Sequence, residues 1–173
     1  MTSNQVEQTA RDLRRRKLGD LVKPPVPVQE LADKLGIKVV STQLQAGVSG
    51  ALIKDGKKWF IIVNSNHHRN RQRFTIAHEI AHFHLGHAME EHVDREFTVL
   101  MRDENSSTAA DEQEIEANRF AAELLMPEEF IIRDFIRLGR LDDETVTRLA
   151  LKYQVSELAL EHRLRNIGLL QPC

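Results

Sequence analysis

The stretch Arg73-Phe-Thr-Ile-Ala-His-Glu-Ile-Ala-His-Phe-His-Leu-Gly86 has the pattern of a mostly apolar helix that ends at a glycine. Within it, His78 and His82 are four residues apart, so their side chains project about 40° apart around the helix axis. Two neutral imidazoles placed in this way can bind one Zn²⁺ ion. An apolar helix has no reason to carry ionisable side chains unless something pairs with them. The spacing therefore predicts a metal site on this helix.

Glu79 follows the first of these histidines and is turned about 100° from it around the axis. From there its carboxylate can reach a water molecule at the metal without ligating the metal itself. A zinc ion lowers the pKa of such a water to about 7, so Glu79 can accept its proton. The motif thus predicts hydrolysis of a peptide bond, with Glu79 as the catalytic base.

Composition bounds the class of protein. The chain has 173 residues, of which 41% are hydrophobic and 29% charged, which is typical of one globular domain with a core of its own. Its net charge of −2 does not indicate a nucleic-acid or membrane partner. The single cysteine, Cys173, leaves no partner for a disulfide within the chain and suits a reducing compartment. Without an apolar leader or a long apolar run, we expect a cytoplasmic protein.

The pattern of elements predicts an α+β fold in which a small mixed β-sheet packs on a metal-binding helix bundle. Apolar alternation and the turn signal Asp55-Gly56 predict a helix and three strands ahead of the metal helix, at 28–35, 37–41, 48–53 and 59–64. Helical patterns follow at 111–126, 128–138, 143–153 and 156–166, and 103–110 is predicted to be a surface loop.

Three regions are expected along the chain. Residues 1–23 form a basic helical extension, 24–127 the zinc metallopeptidase core, and 128–173 a C-terminal helical subdomain. The basic cluster in the extension, residues 11–17, is interpreted as a solvated helix face.

The third metal ligand is expected on the helix at 111–126, because two histidines leave zinc one protein ligand short. Glu112, Glu114 and Glu116 are the candidates. On a helical wheel Glu116 borders the apolar stripe within about 40° of Phe120, Glu114 lies on the other flank of the stripe, and Glu112 lies further out. This favours Glu116, although each acid could also be a solvated residue near a helix N-terminus.

Two paired motifs resemble those of the ImmA/IrrE family of metallopeptidases. They are Arg71-Gln-Arg-Phe-Thr-Ile-Ala-His-Glu-Ile-Ala-His-Phe-His-Leu-Gly-His87 and Glu114-Ile-Glu-Ala-Asn-Arg-Phe-Ala-Ala-Glu-Leu-Leu-Met-Pro127. The resemblance extends to Val48-Ser-Gly-Ala-Leu52 with 59–65, and to Val155-Ser156 with Arg163-Leu-Arg-Asn-Ile-Gly168. The resemblance covers most of residues 24–170.

The resemblance implies a zincin-like (gluzincin-like) fold with His78, His82 and Glu116 as metal ligands and Glu79 as general base. The implied metal is Zn²⁺, although two histidines and a glutamate could also bind Mn²⁺ or Fe²⁺. The implied substrate is a regulatory protein, a helix-turn-helix transcriptional repressor. The alternatives are a non-catalytic regulator or toxin–antitoxin-type protein that binds a partner with the same metal fold, and a DNA-binding protein with a structural zinc.

The two last helices have helix-turn-helix character. A DNA-reading second helix would begin with basic or amide side chains, but this one carries Glu157 and Glu161. We therefore expect a lid or substrate-docking element and no direct DNA binding, with Arg163 and Arg165 available for protein contacts.

Other polar residues near the motifs receive lesser roles. His84 and His87 are interpreted as structural or solvent-facing, and Tyr153 as a core residue. Asn118 could orient a metal ligand through a hydrogen bond.

Overall fold

The computed structural model describes residues 1–87, 91–95, 109–139 and 142–170. Within these ranges the chain forms seven helices and four strands. In order they are α1 (Ser3–Leu18), α2 (Val28–Lys34), β1 (Ile37–Thr42), β2 (Val48–Asp55), β3 (Lys58–Asn64), α3 (Arg69–Leu85), β4 (Glu91–Arg95), α4 (Ala109–Leu125), α5 (Glu128–Leu138), α6 (Asp143–Tyr153) and α7 (Glu157–Asn166). Most of the loop predicted for 103–110 lies outside the described residues, and its last two residues begin α4.

The sheet is mixed and has the strand order β1-β3-β2-β4. β1 runs parallel to β3, whereas β2 is antiparallel to both β3 and β4. The predicted hairpin joins β2 to β3, with Gly56 in the left-handed region at a φ of 58°. The α+β class with a small mixed sheet is confirmed, and β4 is an additional strand that the sequence analysis did not predict.

One face of the sheet packs on α3, and the close approach occurs at Gly50 of β2. A Cβ atom at this position would overlap the Cγ2 methyl of Thr75 on α3 and would lie 2.5 Å from the carbonyl oxygen of Ile62 on β3. Only glycine therefore lets the strand come this near to the helix. The close packing buries the middle of α3, including every residue from Thr75 to His82.

α4 packs against α3 on one side and against α1 on the other. Its buried stripe consists of Ala117, Phe120, Ala121, Leu124 and Leu125, whereas Ile115, an apolar residue of the same predicted stripe, is half-buried. The alanines of this stripe and the buried Ala77 and Ala81 of α3 have short side chains, which permits a small interaxial distance. The first half of α4 is thereby held beside the two histidines of α3.

Two arginines have different environments from those expected. Arg14 of the basic cluster is 1% exposed and forms an ion pair with Glu129, because the apolar stripe of α1 turns this side chain toward α5. Arg163 is 2% exposed, donates to Glu7 at 2.7 Å and to the Met126 carbonyl at 3.2 Å, and also pairs with Glu123. Neither is a solvated surface cation, so Arg163 is not available for contacts with a partner.

These contacts link all three regions that the sequence analysis expected, since Arg163 of α7 binds side chains of α1 and α4. The region boundaries themselves stay a prediction. Among the described helices, none has the length and apolar character that crossing a membrane requires.

Candidate metal centre

His78 and His82 lie one helical turn apart on α3, and both are buried. Their Nε2 atoms are 3.0 Å apart, and their ring centroids are separated by 4.6 Å. The predicted side-by-side arrangement is thus present. Both rings direct the same type of nitrogen atom at a common point.

Glu114 of α4 completes this arrangement. Its carboxylate oxygens lie 3.2 Å from Nε2 of His78 and 3.3 Å from Nε2 of His82. Ligand bonds of about 2.0–2.1 Å in a tetrahedral zinc site place neighbouring donor atoms about 3.3–3.4 Å apart. The observed spacings fit a metal ion bound by two imidazoles and one carboxylate. One possible ligand atom from each of the three residues lies within 4.8 Å of those of the other two.

Asn118 contacts the other nitrogen of the first histidine, with its Oδ1 atom 3.0 Å from Nδ1 of His78. An amide oxygen only accepts hydrogen bonds, so Nδ1 carries the proton and donates it. The Nε2 atom of His78 is then unprotonated, and its lone pair is directed toward Glu114 and His82. This is the tautomer that a metal ligand requires.

Glu79 lies beside the first histidine on α3, and its residue is 0% exposed. It does not belong to the group of three possible ligands. Glu79 is thus a buried carboxylate on the same helix as the two histidines and is not one of the three grouped residues.

A family model described as the IrrE N-terminal-like domain (Peptidase_M78) matches residues 32–165. The chain belongs to this metallopeptidase family. It is also 32% identical over 99 residues to an "Uncharacterized immunity region protein 2" of Bacillus phage phi105, an alignment that covers 57% of this chain and 58% of that protein. The chain therefore spans a little more than half the length of this relative.

In this ImmA/IrrE family member, Glu116 does not lie where the sequence analysis expected it. One carboxylate oxygen lies 3.1 Å from Nε2 of His87, and the other contacts the amino group of Met1. Residues two apart on a helix point about 160° away from each other, so only one of Glu114 and Glu116 can face α3. The helical wheel placed the two glutamates on opposite flanks of the apolar stripe but could not show which flank meets α3. In the structure the flank that carries Glu114 meets α3.

His87 is a further residue near the centre whose position the sequence analysis missed. Gly86 has a φ of 76°, and the N–H of His87 donates to the carbonyl of His82 at 3.0 Å. The chain thus folds back over the last turn of α3, and the ring of His87 lies 5.2 Å from that of His82. The signal was present in the sequence, because a residue that follows a C′ glycine commonly bonds back to the helix end.

Tyr153 is a core residue, as expected. It is 0% exposed, and its hydroxyl donates to Asp134 at 2.7 Å. Burial, followed by this hydrogen bond and the charge of Asp134, raises the pKa of Tyr153. It therefore stays a neutral hydroxyl committed to the contact between α5 and α6.

A second group of carboxylates also has ligand atoms within 4.8 Å of one another, Glu7, Glu123 and Glu128. Arg11 and Arg163 form ion pairs with these acids. This group is a salt-bridge network that joins α1, α4, α5 and α7, and each of its carboxylates already contacts an arginine.

Proposed function

We propose that the protein is a zinc-dependent endopeptidase that cleaves a regulatory protein, with His78, His82 and Glu114 as metal ligands and Glu79 as catalytic base. The observation that carries the proposal is the meeting of three donor groups from two helices at spacings of 3.0–3.3 Å. Two histidines and one glutamate are a known ligand set of catalytic zinc sites, which keep a further position open for water or substrate.

A divalent metal at this site would supply Lewis-acid polarisation of the scissile carbonyl and of a water molecule. The chain's own residues supply the rest of the chemistry. Glu79 accepts a proton from the attacking water at its carboxylate and later delivers it to the nitrogen of the leaving amine. Asn118 holds His78 in the tautomer that leaves Nε2 unprotonated. The burial of Glu79 limits exchange of its proton with bulk water.

The proposed substrate is a transcriptional repressor with a helix-turn-helix domain, and the proposed site of cleavage is the cytoplasm. Membership in a metallopeptidase family supports a protein substrate. The similarity to a protein named for a phage immunity region supports a regulatory circuit of that kind. Zn²⁺ is the proposed metal because histidine nitrogen and carboxylate oxygen suit it, and Mn²⁺ or Fe²⁺ are the alternatives.

The test is cleavage of the helix-turn-helix repressor encoded nearest to this protein. Both are purified, the protein is loaded with Zn²⁺ or treated with a chelator, and fragments are identified by mass spectrometry. The Glu79→Gln variant is assayed beside the wild type, with its zinc content measured. Glu144→Gln is the matched control. Glu144 is an exposed glutamate of α6, so its replacement makes the same change in charge away from the metal centre.

We expect zinc-dependent fragments from the wild type and from Glu144→Gln, and none from Glu79→Gln with its zinc retained. Tight repressor binding without any fragment, in a protein that holds zinc, would favour the non-catalytic regulator. Fragments that Glu79→Gln produces at the wild-type rate would contradict the assigned base.

A further inference from the structure

A cavity of about 390 Å³ lies between α3 and the turn that joins α6 to α7. Its apolar lining comes from Phe74, Val155 and Ala159, and its polar lining includes Asn70, Arg71 and Ser156. The volume is within the range of sites that bind small ligands or single groups of a larger one.

The cavity lies on the same face of α3 as the metal ligands. Arg71, Phe74, His78 and His82 follow one another at intervals of three and four residues, the spacing of neighbours on one helical face. The ring of Phe74 stacks on that of His78 with a centroid distance of 6.2 Å and an interplanar angle of 29°. Phe74 is therefore shared, since it lines the cavity and contacts a proposed metal ligand.

The polar side chains at this cavity are held by other parts of the protein. Asn70 donates from Nδ2 to the carbonyl of Val155 at 2.9 Å, which ties the α6–α7 turn to α3. Arg71 donates to the hydroxyl of Ser49 at 2.7 Å, which directs its guanidinium toward β2. His68 and Ser156, the other polar residues of the lining, accept hydrogen bonds from the backbone N–H groups of Asn70 and Ala159. Phe74, Val155 and Ala159 provide the apolar surface of the cavity.

We propose that this cavity receives an apolar side chain of the protein substrate, from a residue near the scissile bond. The inference rests on the proposed peptidase function and extends it to sequence preference. Because Phe74 both lines the cavity and stacks on His78, a substrate bound at the proposed metal site has the cavity beside it. The C-terminal helices then contribute to substrate selection through Val155 and Ala159.

A leucine, methionine or phenylalanine side chain would exchange water for the apolar lining. A charged side chain would lose its hydration among the apolar lining, and a positively charged one would also lie near the guanidinium of Arg71. We expect peptides with a large apolar residue at this position to be cut about tenfold or more faster than those with alanine there.

The experiment replaces Ala159 with phenylalanine, which fills the cavity from α7. Leu158→Phe is the matched control, because Leu158 precedes Ala159 on the same helix, is 43% exposed and does not line the cavity. Ala159→Leu is a smaller change to use if the phenylalanine variant fails to fold. Cleavage rates are measured on the repressor and on repressor variants with alanine at each position near the cut. Binding of the same proteins is measured separately in the Glu79→Gln background.

If the inference is correct, Ala159→Phe weakens repressor binding and slows cleavage about tenfold, while Leu158→Phe changes neither. The loss should disappear when the apolar substrate residue is itself replaced by alanine. Unchanged binding and unchanged preference in Ala159→Phe, with the repressor still cut, would overturn the cavity assignment and leave the peptidase role intact. A repressor that binds through the cavity but is never cut would overturn the peptidase role instead, and absence of both binding and cleavage would overturn both.

Discussion

Asn118 and His78 are joined across the interface of α4 and α3 by a 3.0 Å contact between Oδ1 and Nδ1. Asn118 follows Glu114 by one helical turn, and Glu114 faces the opposite nitrogen of the same imidazole. One face of α4 thus fixes both nitrogen atoms of the ring. α4 therefore orients the ring of His78, a proposed metal ligand.

Asn118→Leu should lower metal affinity by about 10–100-fold, as is typical when a ligating histidine loses its outer hydrogen bond. Leucine has a similar size but cannot accept the proton on Nδ1. Asn118→Asp is the control, because a carboxylate accepts the same hydrogen bond and should preserve affinity. The measurement is zinc competition with a chromogenic chelator. Equal affinities for the leucine variant and the wild type would show that the contact does not orient the ligand.

Glu114→Gln and Glu116→Gln form a pair that separates the two candidate ligands. The structure brings Glu114 to the histidines and leaves Glu116 with His87 and the amino group of Met1. We expect Glu114→Gln to weaken zinc binding by more than the roughly 10–100-fold that is typical when only a hydrogen-bond partner of a ligand is lost. Glu116→Gln should still bind zinc stoichiometrically. Zinc per protein, measured by mass spectrometry of the metal after gel filtration, decides between them. The reverse result would restore the prediction made from the sequence.

This pair also shows what the sequence could and could not predict about the site. His78, Glu79 and His82 lie on one helix, so their relative positions follow from the helical repeat alone. The third proposed ligand comes from another helix, and its identity depends on the rotation of α4 about its own axis. Glu114 and Glu116 flank the same apolar stripe on opposite sides, so the helical wheel, which favoured Glu116, could not show which flank meets α3.

In the fold, too, local features were predictable from the sequence, whereas features that depend on distant contacts were not. Strands β1, β2 and β3 were predictable because their apolar patterns and the Asp55-Gly56 turn are local signals. The parallel pairing of β1 with β3 depends on contacts between distant parts of the chain. The burial of Arg163 was also missed, because its partners Glu7 and Glu123 lie in other helices. Arginine is mostly exposed in proteins, so the residue type alone predicted a surface position.

Gly50→Ala should destabilise the protein by about 1–3 kcal/mol, the usual cost of inserting an atom into a packed core. The added methyl would overlap Thr75 and the carbonyl of Ile62, so β2 would move away from α3. The free energy of unfolding from urea titrations is the measurement. Thr75→Ser removes the Cγ2 methyl, and in combination with Gly50→Ala it should recover part of the loss. The overlap with the backbone of Ile62 prevents full recovery, and a neutral Gly50→Ala would show that the two elements are not in close contact.

Glu123 should make the stability of the protein depend on pH. Burial raises its pKa to about 7 from an ordinary value of 4.5, and the opposing charges of Arg163 and Arg11 do not offset the loss of hydration. At pH values between about 4.5 and about 7, Glu123 keeps its proton in the folded protein but has released it in the unfolded chain. The contribution of this group is therefore most favourable at low pH and is lost as the pH rises from about 4.5 to about 7.

Glu123→Gln removes this titration and keeps the shape of the side chain. Across that window the wild type should lose up to about 3 kcal/mol of unfolding free energy that the variant does not lose. Urea unfolding of both proteins at about pH 5 and about pH 8 measures the difference, with the metal removed so that ligand titration is the same in each. Parallel pH profiles would mean that Arg163 and Arg11 keep Glu123 ionised throughout. The network joining α1, α4 and α7 would then be a fully charged one.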